Sequence, residues 1–134
     1  MSWIDLVDNN YFLRMLYPSG DPSLDAIQMH EIVLHQDGPT VSLRFNLNEY
    51  PATPPAKWRS AQANTVQLRI AGTGVRQLVL TGWSTTNIGQ LTIMKASGVV
   101  VVEFDGGDSR LNASFDFLSV ESVDAYHHDL RGGV

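Results

Sequence analysis

Residues 40–48 read Thr-Val-Ser-Leu-Arg-Phe-Asn-Leu-Asn, and this stretch decides the fold. Val41, Leu43, Phe45 and Leu47 fall on one face of an extended chain, with Ser42, Arg44, Asn46 and Asn48 on the other. A period of two with one apolar and one polar face defines a half-buried β-strand. Immediately upstream, Asp37-Gly38 is the strongest short hairpin signal in the chain, and it makes Ala26–Gln36 the antiparallel partner.

The same period recurs downstream. Val66, Leu68 and Ile70 alternate with Gln67 and Arg69, and Gly72-Thr73-Gly74 is read as a turn into a strand over Val75–Trp83. Further strands are expected at Ile88–Lys95, Val99–Phe104, Arg110–Leu118 and Val120–Tyr126. Ser97-Gly98 and Asp105-Gly106-Gly107-Asp108 supply two of the turns. The apolar run Val99-Val100-Val101-Val102 suits a central strand. The expectation is a mainly β fold with about eight antiparallel strands in a meander. They form either a sandwich or a strongly curved sheet.

Upstream of the strands the period differs. Pairs such as Leu13 and Leu16 suit one or two short helices, with Asn9 and Asn10 as capping candidates and Pro18-Ser19-Gly20-Asp21-Pro22 as the stop. The chain therefore divides into a helical lead-in (1–22), antiparallel strands (23–126) and a tail (127–134) expected to fray, all in one domain. Between Glu49 and Asn64, Pro51, Pro54 and Pro55 break the pattern and predict an extended, semi-rigid excursion. Trp58 within it needs cover, so the loop is expected to pack back on the sheet. Lys57, Trp58 and Arg59 also have the composition of an interface anchor.

Composition bounds the chemistry. The 134 residues contain no cysteine, which excludes a disulfide framework, thiolate metal ligation and a Cys nucleophile. No run is long enough to span a membrane, and the opening residues lack the basic and apolar regions of a secretory leader. The expected location is the cytoplasm. His30 and His35 are five apart on a strand, and His127-His128-Asp129 places adjacent imidazoles on opposite faces, so no metal and no cofactor is expected. No nucleophile elbow or phosphate loop is present, and Gly72-Thr73-Gly74 lacks the following Lys and helix. The reading is of a binding module, not an enzyme.

The formal charge of −5 is unevenly spread. Six acids and one base precede residue 38, one acid and six bases occupy 38–99, and seven acids and two bases follow. An acidic surface repels phosphate and steers a basic protein inward, so a nucleic-acid partner is not expected unless the central bases converge. Glu31, Glu103, Asp116, Glu121 and Asp124 all sit in or beside strands. The candidate partner-binding residues are Asp105, Asp108, Asp116, Glu121 and Asp124.

Several motifs resemble the immunity protein 50 family. These are a hairpin ending in Asn46-Leu47-Asn48, Pro54-Pro55-x-Lys57-Trp58, Asn64-Thr65-Val66-Gln67-Leu68, Gly82-Trp83 and Val123-Asp124-Ala125-Tyr126. The resemblance spans about residues 3–126. It implies a bacterial polymorphic-toxin immunity protein that binds and occludes a cognate toxin domain, with a basic nuclease suiting the acidic surface. It marks Pro55, Lys57, Trp58, Asn64 and Trp83, as fold determinants or contacts. The alternative from the residues alone is a β barrel or sandwich that binds a small ligand, which requires a concave apolar pocket.

Overall fold

The computed structural model describes residues 2–128. A 3-10 turn (Trp3–Leu6) and helix α1 (Tyr11–Leu16) precede strands β1 (Ile27–His35) and β2 (Thr40–Asn46). Helix α2 (Ala56–Ser60) is followed by β3 (Thr65–Thr81), β4 (Ile88–Ala96), β5 (Val99–Asp105) and β6 (Arg110–Tyr126). The strands close into an antiparallel barrel in the order β1-β2-β3-β6-β5-β4.

Among the described residues six strands stand where eight are expected, because two predicted connections are continuous strand. Gly72-Thr73-Gly74 is not a turn. Gly72, Thr73 and Val75 stay in register with Leu118, Phe117 and Phe115. The two glycines serve a bend. A Cβ at 72 would overlap the ring of Phe115, and Gly74 takes a φ of +67° beside the Asp116 carboxylate. The register slips between Val75 and Gln77, and again opposite Arg69 and Ile70, where Glu121 is the extra residue. Bulges of this kind bend a strand and raise its twist.

The β3–β6 ribbon is thus the spine. The N-terminal half of β3 pairs with β2, whereas the N-terminal half of β6 pairs with β5. Two half-sheets share the ribbon and face each other. Closure between β1 and β4 takes only two residue pairs, Ile27 with Gly89 and Gln28 with Ile88. The Met29 amide adds a bond to the Asn87 carbonyl at 2.8 Å.

The inward residues of every strand fill the barrel, with Phe45, Phe104, Phe115, Leu43, Leu68 and Ile70 fully buried. The residues expected inward at 41, 43 and 45 are there. A filled interior leaves no wall for an enclosed ligand, and the concavities found among the described residues are open surface depressions.

The helical lead-in completes this core. Ile4, Val7, Leu13, Leu16 and Tyr17 join the strand residues in one cluster. Asn10 does not cap α1 with its side chain. Its Nδ2 instead donates to the carbonyls of Ile4 (2.8 Å) and Val7 (2.9 Å), holding the end of the 3-10 turn. Asp8 then pairs with the outer edge of β6. Its amide donates to Leu118 and its carbonyl accepts from Val120.

The excursion after β2 holds a helix, not only extended chain. Pro55 sits at the N-cap with ψ 151°, and its carbonyl accepts from the amides of Trp58 and Arg59. A proline suits a helix start, since its missing N–H has no intrahelical partner there. Trp58 does pack back. Its ring meets Phe12 edge-on at 5.8 Å and Tyr50 at 6.3 Å, against the core. His127 and His128 are not frayed. Asn64 donates to the His128 carbonyl and accepts its amide proton at 2.8 Å, which ties the start of β3 to the end of β6. Asp129 and the tail after it lie outside the described residues.

Candidate partner-binding surface

Strand register places the outward side chains in rows. Thr92, Glu103, Asn112 and Val79 lie side by side across β4, β5, β6 and β3, and Gln90, Asp105, Arg110 and Thr81 form the next row. Together they line a surface trough of about 480 Å³. Asn112 Nδ2 donates to Glu103 Oε2 at 2.8 Å, and Arg110 Nε stands 3.6 Å from Asp105 Oδ1. Both partners of that pair are well exposed, so it holds little energy. The Gly107 amide also donates to Asp105 Oδ1, which fixes the carboxylate at the head of the turn.

The five acids nominated from sequence do not form one patch. Asp105 and Asp108 share the β5–β6 hairpin end. Asp116 lies midway along β6 and accepts from Arg76 Nε at 2.7 Å. Glu121 is the bulged residue of the far half of β6, where its Oε1 accepts from Ser42 Oγ at 3.1 Å. Asp124 pairs with Gln67, whose amide donates to Asn46. The acids trace a stripe along β6 that passes from one half-sheet to the other. Glu103 was not among the nominated residues, yet it faces the trough beside Asp105. It lies two residues before Asp105 on the same face of β5, and the β5–β6 register sets it opposite Asn112.

The central bases do not converge either. Arg44 and Arg69 stand directly opposite each other on β2 and β3. Like charges in that position repel. Glu31 Oε1 accepts from both, at 3.4 and 3.0 Å. Those hydrogen bonds, from Arg69 first, hold the Glu31 carboxyl below the usual carboxylate range. Arg76 serves Asp116, while Arg59 donates to the Pro54 carbonyl. Lys57 is exposed on α2, and Lys95 borders a second depression with Asp5, Asp8 and Asp116.

Of the family-marked positions, Pro55, Trp58 and Asn64 hold the fold together as described above. Trp83, just past β3, is 48% exposed. Among the described residues no three His, Asp or Glu side chains come together as a metal site.

His30 is the bulged residue of β1, between Met29 and Glu31. Its Nε2 is buried without a partner. Burial first, then Arg44 and His128, pulls its pKa below 6.5. The unfolded chain therefore takes up the His30 proton before the folded one does, and stability falls as pH drops below about 6.5. Replacing His30 with Gln is expected to flatten the fall in Tm between pH 7 and pH 5.5, read by thermal melts across that range. A parallel slope in both proteins assigns the effect elsewhere.

Fold and surface together define an all-β antiparallel barrel domain with a packed interior and its polar chemistry on the outside. The family model for immunity protein 50 matches residues 9–126, and the chain belongs to that family. No curated protein and no solved structure matches the chain.

Proposed function

We propose that this protein neutralises a bacterial toxin domain by binding and covering it in the cytoplasm, and that it catalyses no reaction. Membership of the immunity protein 50 family carries the reading. The outward face of β4, β5 and β6 is the surface proposed to meet the toxin. Its carboxylates Glu103, Asp105 and Asp108 stand at a hairpin end, and the rows beneath them are fixed by strand pairing. A preformed surface of this kind binds with a smaller ordering penalty than a segment that must fold on its partner. A net charge of −5 favours a basic toxin, and nucleases are basic where they hold their substrate.

The test is co-expression with the toxin domain encoded beside the gene. The expected result is restored growth and a complex that survives purification by a tag on either partner. Growth arrest in spite of full-length, folded protein would sink the proposal.

A further inference from the structure

Residues 126–128 cross the outside of the barrel. Tyr126 ends β6, and β3 lies between β6 and β2, yet the Tyr126 hydroxyl accepts from Asn46 Nδ2 on β2. The tyrosine side chain therefore reaches over β3. Gln67 on β3 donates to Asn46 Oδ1 at 2.9 Å beneath it. Asn46 belongs to the outward row of Gln28, Asn46, Gln67 and Asp124, the face of a sheet that water ordinarily wets, but it is only 5% exposed.

His128 meets the Tyr126 ring edge-on at 6.0 Å. Asn64 holds the backbone here. Its amide donates to the Tyr126 carbonyl at 3.0 Å, and its side chain bonds both the carbonyl and the amide of His128. His127 Nδ1 stands 3.2 Å from the Gln62 carbonyl. None of these ties is an ion pair.

His30 sits at the edge of this arrangement. It is the extra residue of the β1 bulge, between Gln28 opposite Asn46 and Glu31 opposite Arg44. A bulge leaves its extra residue outside the ladder. His30 Nε2 is buried and has no partner among the described residues. Arg44 from β2 and His128 from beyond β6 act on its ring. The carboxylate on its own strand, Glu31, is engaged by Arg44 and Arg69. Asp124 on β6 lies three strands over. In a neutral imidazole Nε2 can stay bare, whereas a proton there adds a buried donor with no acceptor, beside a guanidinium. A buried charge without a partner is strongly unfavourable.

We propose that residues 126–128 form an acid-sensitive strap: a proton taken up by His30 drives them off the outer face of the sheet and uncovers Asn46 and Gln67. Opening breaks only neutral hydrogen bonds and one ring contact, and the packed interior beneath is untouched. It lets the imidazolium reach water, so acid favours the open form. The fall in Tm expected from His30 thus begins as a local event at this strap. The device does not depend on the toxin reading.

Amide hydrogen exchange followed by NMR tests this on the wild-type protein. The Asn64 and His128 amides report the strap, since they bond to the Tyr126 carbonyl and the Asn64 side chain. Both should be less protected than the β5–β6 amides and insensitive to about 1 M urea, because a local opening exposes little surface. Corrected for intrinsic rates, their protection should fall up to about ten-fold between about pH 7.5 and 5.5. His30→Gln, which takes no proton, should hold its protection across that range, while His128→Gln should keep most of the wild-type fall. A His30 ring that titrates at its ordinary pKa in the folded protein, read from its carbon-bound protons, overturns the proposal without any variant. So does strap exchange that follows the β5–β6 amides in urea, or an equal fall in His30→Gln.

Discussion

Changing Glu103, Asp105 and Asp108 together to Gln, Asn and Asn slows association with the toxin about ten-fold or more at low ionic strength. Glu103 and Asp105 share the outward face of β5 and Asp108 follows in the connection to β6, so the three charges lie within one hairpin and their fields add. The variant should fold normally. Asn112 can still donate to an amide oxygen at 103, and the exposed Asp105–Arg110 pair contributes little. The difference should shrink as salt rises, because the screening length falls from about 10 Å at 0.1 M to about 3 Å at 1 M. Dissociation should change less than association, which stopped-flow mixing separates from equilibrium affinity. A second variant, Asp116→Asn with Glu121→Gln and Asp124→Asn, is expected to slow association less, since Asp116 is already matched by Arg76. Equal rates for wild type and both variants at low salt would remove electrostatic steering from the account.

The largest expected loss of stability follows from Phe115→Ala. Phe115 is fully buried where three strands meet, opposite Val75 of β3 and Val100 of β5, with its ring against Gly72. Truncating such a side chain costs about 3–5 kcal/mol, a large part of the roughly 5–15 kcal/mol that holds a domain folded. Urea denaturation should show the midpoint falling at nearly constant slope. Gly72→Ala should also destabilise, by about 1–3 kcal/mol, because the added methyl enters the space of the ring. Combined with Phe115→Leu, the methyl gains room, so the double change should cost less than the sum of the two single changes. Strict additivity would mean that ring and glycine do not share the space assigned to them.

That same contact explains what could and could not be read from the sequence. Alternation at 41–47 and 66–70 identified strands and their inward residues, because a buried face leaves a period of two in the residue types. Along 110–118 the same alternation puts Leu111, Ala113, Phe115 and Phe117 inward. The first three are buried, but Phe117 is 64% exposed, past the point where β6 leaves β5. The hairpin at Asp37-Gly38 was legible for the same local reason: Gly38 takes a φ of +108° in the turn. Gly72-Thr73-Gly74 misled because glycine marks both a reversal and a bend beneath a large side chain. What separates them is Phe115, forty-three residues away in sequence. Ser119 separates two expected strands, but it pairs with Ala71 and β6 runs through it. Helix α2 escaped notice because the prolines before it signal extended chain, and only the N-cap position of Pro55 shows that they launch a turn.

For the candidate surface, the sequence identified which residues carry charge but not which of them meet. Asp105 and Asp108 are near in sequence and stayed together. Glu103 joins them because it is two residues before Asp105 on the same face of β5, while Glu121 and Asp124 are carried to another half-sheet by the length and bend of β6. The central bases looked like a potential patch along the chain. Glu31, from a segment counted as acidic, stands between two of them in space and accepts a hydrogen bond from each.

Asp8 and Asn9 are bonded to β6, and the C-terminal half of β3 has no partner until β6 is made. On the ribosome, everything synthesised before β6 waits with an open spine and an unsealed lead-in. Protection against proteolysis should therefore arrive in one late step as the final strand emerges, rather than growing with nascent-chain length.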